Sequence, residues 1–136
     1  MRKAISEQVS VGEQPGKSDL EELKKDGVTT VVNLRLVGED SPLNPAQERA
    51  IAEKLGLQYH HLPISLDKLD IDQVKELRKI LRNSQGPVFV HCGFGQRACS
   101  LSLTACGVKT DLVFEQAREL GFPVQDEKLR TFLKSL

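Results

Sequence analysis

The chain carries no excess of charge of either sign: 19 Lys and Arg balance 19 Asp and Glu over 136 residues. That balance argues against a nucleic acid or an anionic membrane surface as its main partner. No apolar run is long enough to span a bilayer. No apolar core of signal-peptide length follows Arg2 and Lys3, so no leader is expected. Cysteine is scarce, with Cys92, Cys99 and Cys106 alone. An odd count without a spaced framework argues against a disulfide scaffold and for a reducing compartment, so the expected location is cytoplasmic. No Cys/His set has zinc spacing, and the neighbours His60 and His61 fall on opposite faces of an expected strand. No metal and no cofactor is therefore expected. Repeats, linkers and low-complexity segments are missing too. With 39% hydrophobic and 28% charged residues, the chain is expected to be one globular domain over residues 1–136.

One further lack is local. Between Ser84 and Thr110 there is no Asp or Glu, while Arg97 and Lys109 are present. This acid-free stretch contains the apolar run Pro87-Val88-Phe89-Val90, then His91-Cys92-Gly93-Phe94-Gly95-Gln96-Arg97-Ala98, then a helical pattern closed by Gly107. The order is strand, glycine-containing loop, helix. Backbone N–H groups of such a loop converge at the positive end of the helix and make an anion site. A thiol opening the loop, with an Arg closing it, is expected to be activated as a nucleophile. An Arg at a helix start is unfavourable for the helix dipole, and an anion gives it a reason to be there. The bland reading of Cys92 is a small buried hydrophobe, and that of the glycines a turn.

The remaining chain alternates strand and helix patterns. Ala4–Val11 reads as an edge strand. Ser18-Asp19-Leu20-Glu21 reads as a capping box opening a helix that ends at Gly27. Val28–Leu34 and Leu57–Pro63 read as strands, with a polar loop over Arg35–Leu43 between the first and a helix capped by Asn44-Pro45. Asp70 opens an amphipathic helix with Ile71, Val74, Leu77, Ile80 and Leu81 at helical spacing. Two helices, Thr110–Leu120 and Asp126–Leu136, complete the chain. The expected fold is α/β, a mainly parallel central sheet of four to five strands flanked by helices. Ligands bind such sheets beyond the carboxyl ends of the strands, where the loops after Leu34 and Pro63 and the Cys92 loop would meet.

Cys92 and Arg97 are separated by four residues. The loop resembles two kinds of cysteine chemistry: the tyrosine phosphatases, which place five residues between Cys and Arg, and rhodanese-type sulfurtransferases, whose shorter loop suits a persulfide. Over nearly its whole length the chain resembles a small bacterial phosphatase-like domain also found fused to beta-lactamase-type hydrolases, within the tyrosine and dual-specificity phosphatase fold. The matching segments are Gly12-Glu13-Gln14-Pro15, Thr30-Val31-Val32-Asn33-Leu34-Arg35, Tyr59-His60-His61-Leu62-Pro63-Ile64, His91–Arg97, and Gln116-Ala117-Arg118-Glu119-Leu120-Gly121. The resemblance implies Cys92 as nucleophile and Arg97 as oxyanion clamp. It also implies loop amides of Gly93, Phe94, Gly95 and Gln96 as the cradle. Where the family often has Ser-Gly, this chain has Phe94-Gly95, and Ala98 stands where phosphatases often have a hydroxyl.

A phosphatase also needs an acid for the leaving alcohol. Asp67, in the loop after Ile64, is the choice, because helix capping accounts for Asp70 and first-turn placement for Asp72. Its bland reading is a solvated loop acid. Arg35 is a second anion contact or a surface Arg. His91 orders the loop or is a satisfied core histidine. Gln96 positions water or pads the loop. Cys99 and Cys106 pack the core or trap an oxidised Cys92. The expected activity is hydrolysis of a phosphorylated protein or small phosphomonoester through a thiophosphate. The alternatives are sulfur transfer from a sulfur donor through a Cys92 persulfide, and a non-catalytic anion-binding module.

Overall fold

The computed structural model describes residues 2–136. Its strands are β1 (Arg2–Ala4), β2 (Val9–Gly12), β3 (Thr30–Asn33), β4 (Gln58–His61) and β5 (Val88–His91). Its helices are α1 (Lys17–Lys25), α2 (Pro45–Lys54), α3 (Ile71–Asn83), α4 (Gln96–Ala105), α5 (Thr110–Glu119) and α6 (Glu127–Lys134). The sheet order is β1-β2-β5-β3-β4, with β1 antiparallel to β2 and every other pair parallel. The expected mainly parallel α/β sheet is therefore present.

The first expected strand, Ala4–Val11, is a hairpin instead. Ser6 breaks it, since its Oγ accepts the N–H of Gln8 at 3.2 Å and of Val9 at 3.0 Å. A short hydroxyl side chain offers the backbone this alternative to strand pairing. The start of α1 also differs. Gly16 is the N-cap, and its N–H donates to Asp19 Oδ2 at 2.8 Å. Asp19 thus does from N3 what Glu21 was expected to do. Asn44 and Asp70 cap α2 and α3 as their patterns predict.

Pleating sends alternate side chains to opposite faces, and both faces are covered. Val31, Tyr59 and Phe89 pack with Leu20 and Leu23 of α1 and Ala52 of α2. Val9, Val11, Val32, Val88 and Val90 pack on the other face with α3 to α6. That face holds α4, whose residues from Ala98 to Leu103 are all buried. No helix among the described residues is long and apolar enough to cross a membrane.

Register decides where the loops emerge. Gly12 pairs with His91, His91 with Asn33, and Asn33 with His61. The four parallel strands therefore end in one row. The loops beginning at Glu13, Leu34, Leu62 and Cys92 leave the sheet side by side.

Candidate active site

Cys92 follows directly on β5 and is 1% exposed. Its backbone N–H reaches Gly12 O at 3.4 Å, and Gln14 N–H reaches Gly93 O at 3.3 Å, which tie the start of the loop to β2. The chain then turns back so that Gly95 N–H donates to Cys92 Sγ at 3.1 Å and Ala98 N–H at 3.4 Å. The sulfur thus sits against the amino end of α4 with two backbone donors on it.

Gly95 makes the turn possible. It is the N-cap of α4 with φ +96°, and a Cβ there would stand 2.3 Å from the Phe122 ring. Both the left-handed backbone and the packed ring require glycine.

Arg97 lies one residue into α4, its side chain 12% exposed. Nη1 donates to Glu39 Oε2 at 2.9 Å and to Ile64 O at 2.9 Å, and Nη2 donates to Glu39 Oε1 at 2.7 Å. Burial works against its charge, but the Glu39 hydrogen bond and the charges of Cys92 and Glu39 outweigh it and hold its pKa above the ordinary value. Glu39 is held below the usual carboxylate range. Burial opposes that, and hydrogen bonds from Arg97 and the Leu36 N–H, with the charges of Arg97 and Arg35, prevail.

Beneath the loop lies a buried polar chain. His91 Nε2 meets Glu48 Oε2 at 2.6 Å, both side chains fully enclosed. Glu48 Oε1 accepts Gln14 Nε2 at 2.7 Å, and Gln14 Oε1 accepts Arg35 Nη1 at 3.1 Å. His91 Nδ1 stands 3.3 Å from Cys92 O. His91 is thus a positioned core histidine that orders the loop. Tyr59 Oη accepts Asn33 Nδ2 at 2.9 Å in the same region, where burial and then the Glu48 charge raise its pKa. Burial and the charge of Cys92 push the Cys99 thiol up to about 12.

Four expected site residues stand elsewhere or do other work. Asp67 is exposed over 71% of its side chain and pairs with Lys128 of α6, whose hydrogen bond and then charge hold the carboxyl below its ordinary range. It lines a separate surface groove with Leu66, Leu69, Glu127, Thr131 and Phe132. Its charged partner is thus Lys128 and not a residue of the Cys92 loop. Arg35 is 6% exposed, and its guanidinium is taken by Gln14, Asp40 O and Glu39. It supports the site from inside and does not present a fork to solvent. Gln96 Oε1 accepts the N–H of Gln125 at 2.6 Å and of Asp126 at 2.8 Å, so it pins the entry to α6. Phe94 projects outward at 86% exposure, leaving only its backbone to the loop.

Glu39 and Glu48 were not foreseen. Glu39 lies in a polar loop 58 residues from its partner, without any spacing signal. Glu48 did carry one: it shares the inward stripe of α2 with Ala52, where a charge needs a buried partner.

A four-stranded parallel core with an added antiparallel edge, and a Cys-to-Arg loop between its central strand and a buried helix, defines the tyrosine-phosphatase-like fold class. The chain belongs to the phosphatase-like domain family of beta-lactamase hydrolase-like proteins, whose pattern matches residues 2–107. A beta-lactamase hydrolase-like protein of Agrobacterium fabrum is 30% identical over 99 residues, which are 71% of this chain and 23% of that relative. One of Xylella fastidiosa is 29% identical over the same coverage. The chain thus matches less than a quarter of these relatives. A Neisseria meningitidis structure superposes with TM-score 0.81 at 23% identity, over 97% of this chain and 95% of that one. Pseudomonas aeruginosa TpbA, known also in complex with pTyr, gives 0.78 at 20% identity, over 99% and 84%. At such identities these structures show a shared fold.

Proposed function

We propose that this domain is a cysteine-dependent phosphatase acting on phosphoric monoesters, either phosphorylated protein or small molecules. The observation that supports this best is the Cys92 sulfur held by two amide donors at the start of α4, on the loop that Arg97 closes. In the proposed reaction the Cys92 thiolate attacks phosphorus, the S–P bond forms and the P–O bond to the leaving group breaks. Water then attacks phosphorus, the S–P bond breaks, and inorganic phosphate leaves. Arg97 and the loop amides stabilise the equatorial oxygens as fixed donors.

Asp67 is engaged by Lys128 and Glu39 by Arg97 and Arg35, and both carboxyls are held below the ordinary carboxylate range. An aryl phosphate, whose leaving group departs without a proton, is therefore the ester to test first. TpbA with pTyr is an example of an aryl phosphate in a related fold.

The short loop, with four residues between Cys92 and Arg97, also suits sulfur transfer. Intact mass after rapid quench distinguishes the readings. Incubation with an aryl phosphate is expected to add one phosphoryl group to wild type and none to Cys92→Ser. Addition of one sulfur atom from thiosulfate, with no phosphoryl adduct, moves the assignment to a sulfurtransferase. No adduct from either donor leaves an anion-binding module.

A further inference from the structure

Aromatic side chains are few in this chain, with five Phe, one Tyr and no Trp. Tyr59, Phe89 and Phe122 are buried, and Phe114 and Phe132 pack against the larger core. Phe94 is the exception at 86% exposure. It stands two residues after the enclosed Cys92 and directly before Gly95, whose N–H meets the sulfur. Apolar area stabilises a fold when it leaves water, and this ring contributes almost none. Other exposed apolar groups lie beside it. Leu36 and Val37 are exposed in the turn that the Glu39 N–H closes on Leu36 O at 3.2 Å. That turn abuts the Cys92 loop, since Glu39 Oε1 is 3.7 Å from where a Cβ on Gly93 would stand. Three of the six large apolar side chains exposed among the described residues thus belong to the two segments around the anion loop.

Reaction geometry decides what passes this rim. The sulfur lies at the enclosed end of the loop, and in-line displacement puts the ester oxygen on the far side of phosphorus from it. The organic group of the substrate therefore extends outward, on the side where Phe94 projects. We propose that the Phe94 side chain is a specificity-determining group, which packs on the apolar part of the substrate and selects aromatic over small phosphomonoesters. Two rings gain contact area and a preferred offset or edge-on geometry. The Ser that the family often has at this place offers a hydroxyl only, so the ring is this chain's own addition. A lipid surface is the rival occupant of an exposed ring. The chain's charges balance at 19 and 19, which gives no general attraction to an anionic bilayer. The inference rests on the proposed phosphatase reading, and the test keeps the two apart.

The test compares phenylphosphonate with methylphosphonate, which share the anion and differ in the ring, by calorimetry on the full chain. Wild type is expected to bind the phenyl compound more tightly. Phe94→Ser is expected to cut that preference about three- to ten-fold, the range of an aromatic pair, and Phe94→Tyr to keep it. The introduced hydroxyl meets both anions alike and cancels in the ratio. Both are surface changes, so the fold is expected to survive; a Phe94→Ser variant that does not fold would make the ring a structural part of the loop and overturn the proposal. An unchanged ratio, or equal weakening of both ligands, would also overturn it and leave the phosphatase reading standing. So would sedimentation of wild type with vesicles of phosphatidylcholine and phosphatidylglycerol in equal parts, if Phe94→Ser abolished it. Binding of neither phosphonate by wild type would overturn both readings. A phenyl preference that depends on Phe94, with no phosphoryl adduct on Cys92 from phenyl phosphate, would overturn the phosphatase reading alone and keep Phe94 as the selector of ligand.

Discussion

Glu39 and Asp67 are loop carboxylates on the same edge of the sheet, one after β3 and one after β4, and each pairs with a cation distant in sequence. They differ in enclosure. Glu39 is 24% exposed, holds two arginines and a backbone N–H, and stays charged against the cost of burial. Asp67 is 71% exposed and holds one exposed lysine. An enclosed network fixes geometry because each member has a single place to be. An exposed pair is screened by water and salt and fixes little. Nearness to a strand end therefore does not tell an enclosed carboxylate from a solvated one.

The largest effects are expected on the enclosed side. Glu48→Ala leaves His91 and Gln14 without their buried partner and should lower stability by about 3–5 kcal/mol, measured by urea unfolding. A loss below about 1 kcal/mol would show that the pair beneath the loop does not hold it.

Gly95→Ala comes next. It forces an L residue to positive φ and drives a methyl into Phe122, for about 2–4 kcal/mol. Tungstate binding should fall with it, because the Gly95 N–H no longer faces Cys92 Sγ. A variant of unchanged melting temperature would mean that the turn is built differently.

Acid unfolding sharpens the contrast directly. The folded pKa of Glu39 lies below its ordinary value of 4.5. The stability it contributes is therefore complete above that value and is lost as pH falls through the folded pKa. Glu39→Gln should flatten the acid limb of melting temperature against pH below about 4.5. Asp67 is also lowered but fully solvated, so Asp67→Asn should leave that limb nearly unchanged at moderate salt. Equal flattening by both would erase the distinction.

The smallest effect is expected from Asp67→Asn on turnover. Hydrolysis of an aryl phosphate and of an alkyl phosphate should each stay within about two-fold of wild type. A positioned general acid is worth about 10²–10⁴-fold, felt mainly by the poor leaving group. Selective slowing of the alkyl ester would show that Asp67 leaves Lys128 and reaches the site during turnover.

Much of the fold was legible in the sequence. The β-branched run over Val31-Val32, the Val-rich run over Val88–Val90, the caps Asn44 and Asp70, and the closing glycines 27, 56, 107 and 121 are local signals, and each marks the element it should. The hairpin at Ser6 was missed because a single hydroxyl bonding two N–H groups leaves no periodicity. The Cys92 loop was legible because its chemistry lies within six consecutive residues, from Cys92 to Arg97.

The sequence by itself determined the alternation of strands and helices, the parallel sheet that such alternation requires, and the Cys-to-Arg loop opening a helix. All three follow from interactions over a few residues or from the pleat and helix periods. Tertiary structure alone decided which charges work together. The Arg97–Glu39, His91–Glu48 and Asp67–Lys128 pairs join residues 58, 43 and 61 positions apart. Strand register and helix packing bring them into contact, and burial then decides which become fixed parts of the site. Charge acts through space and dielectric, and neither is written in the order of residues.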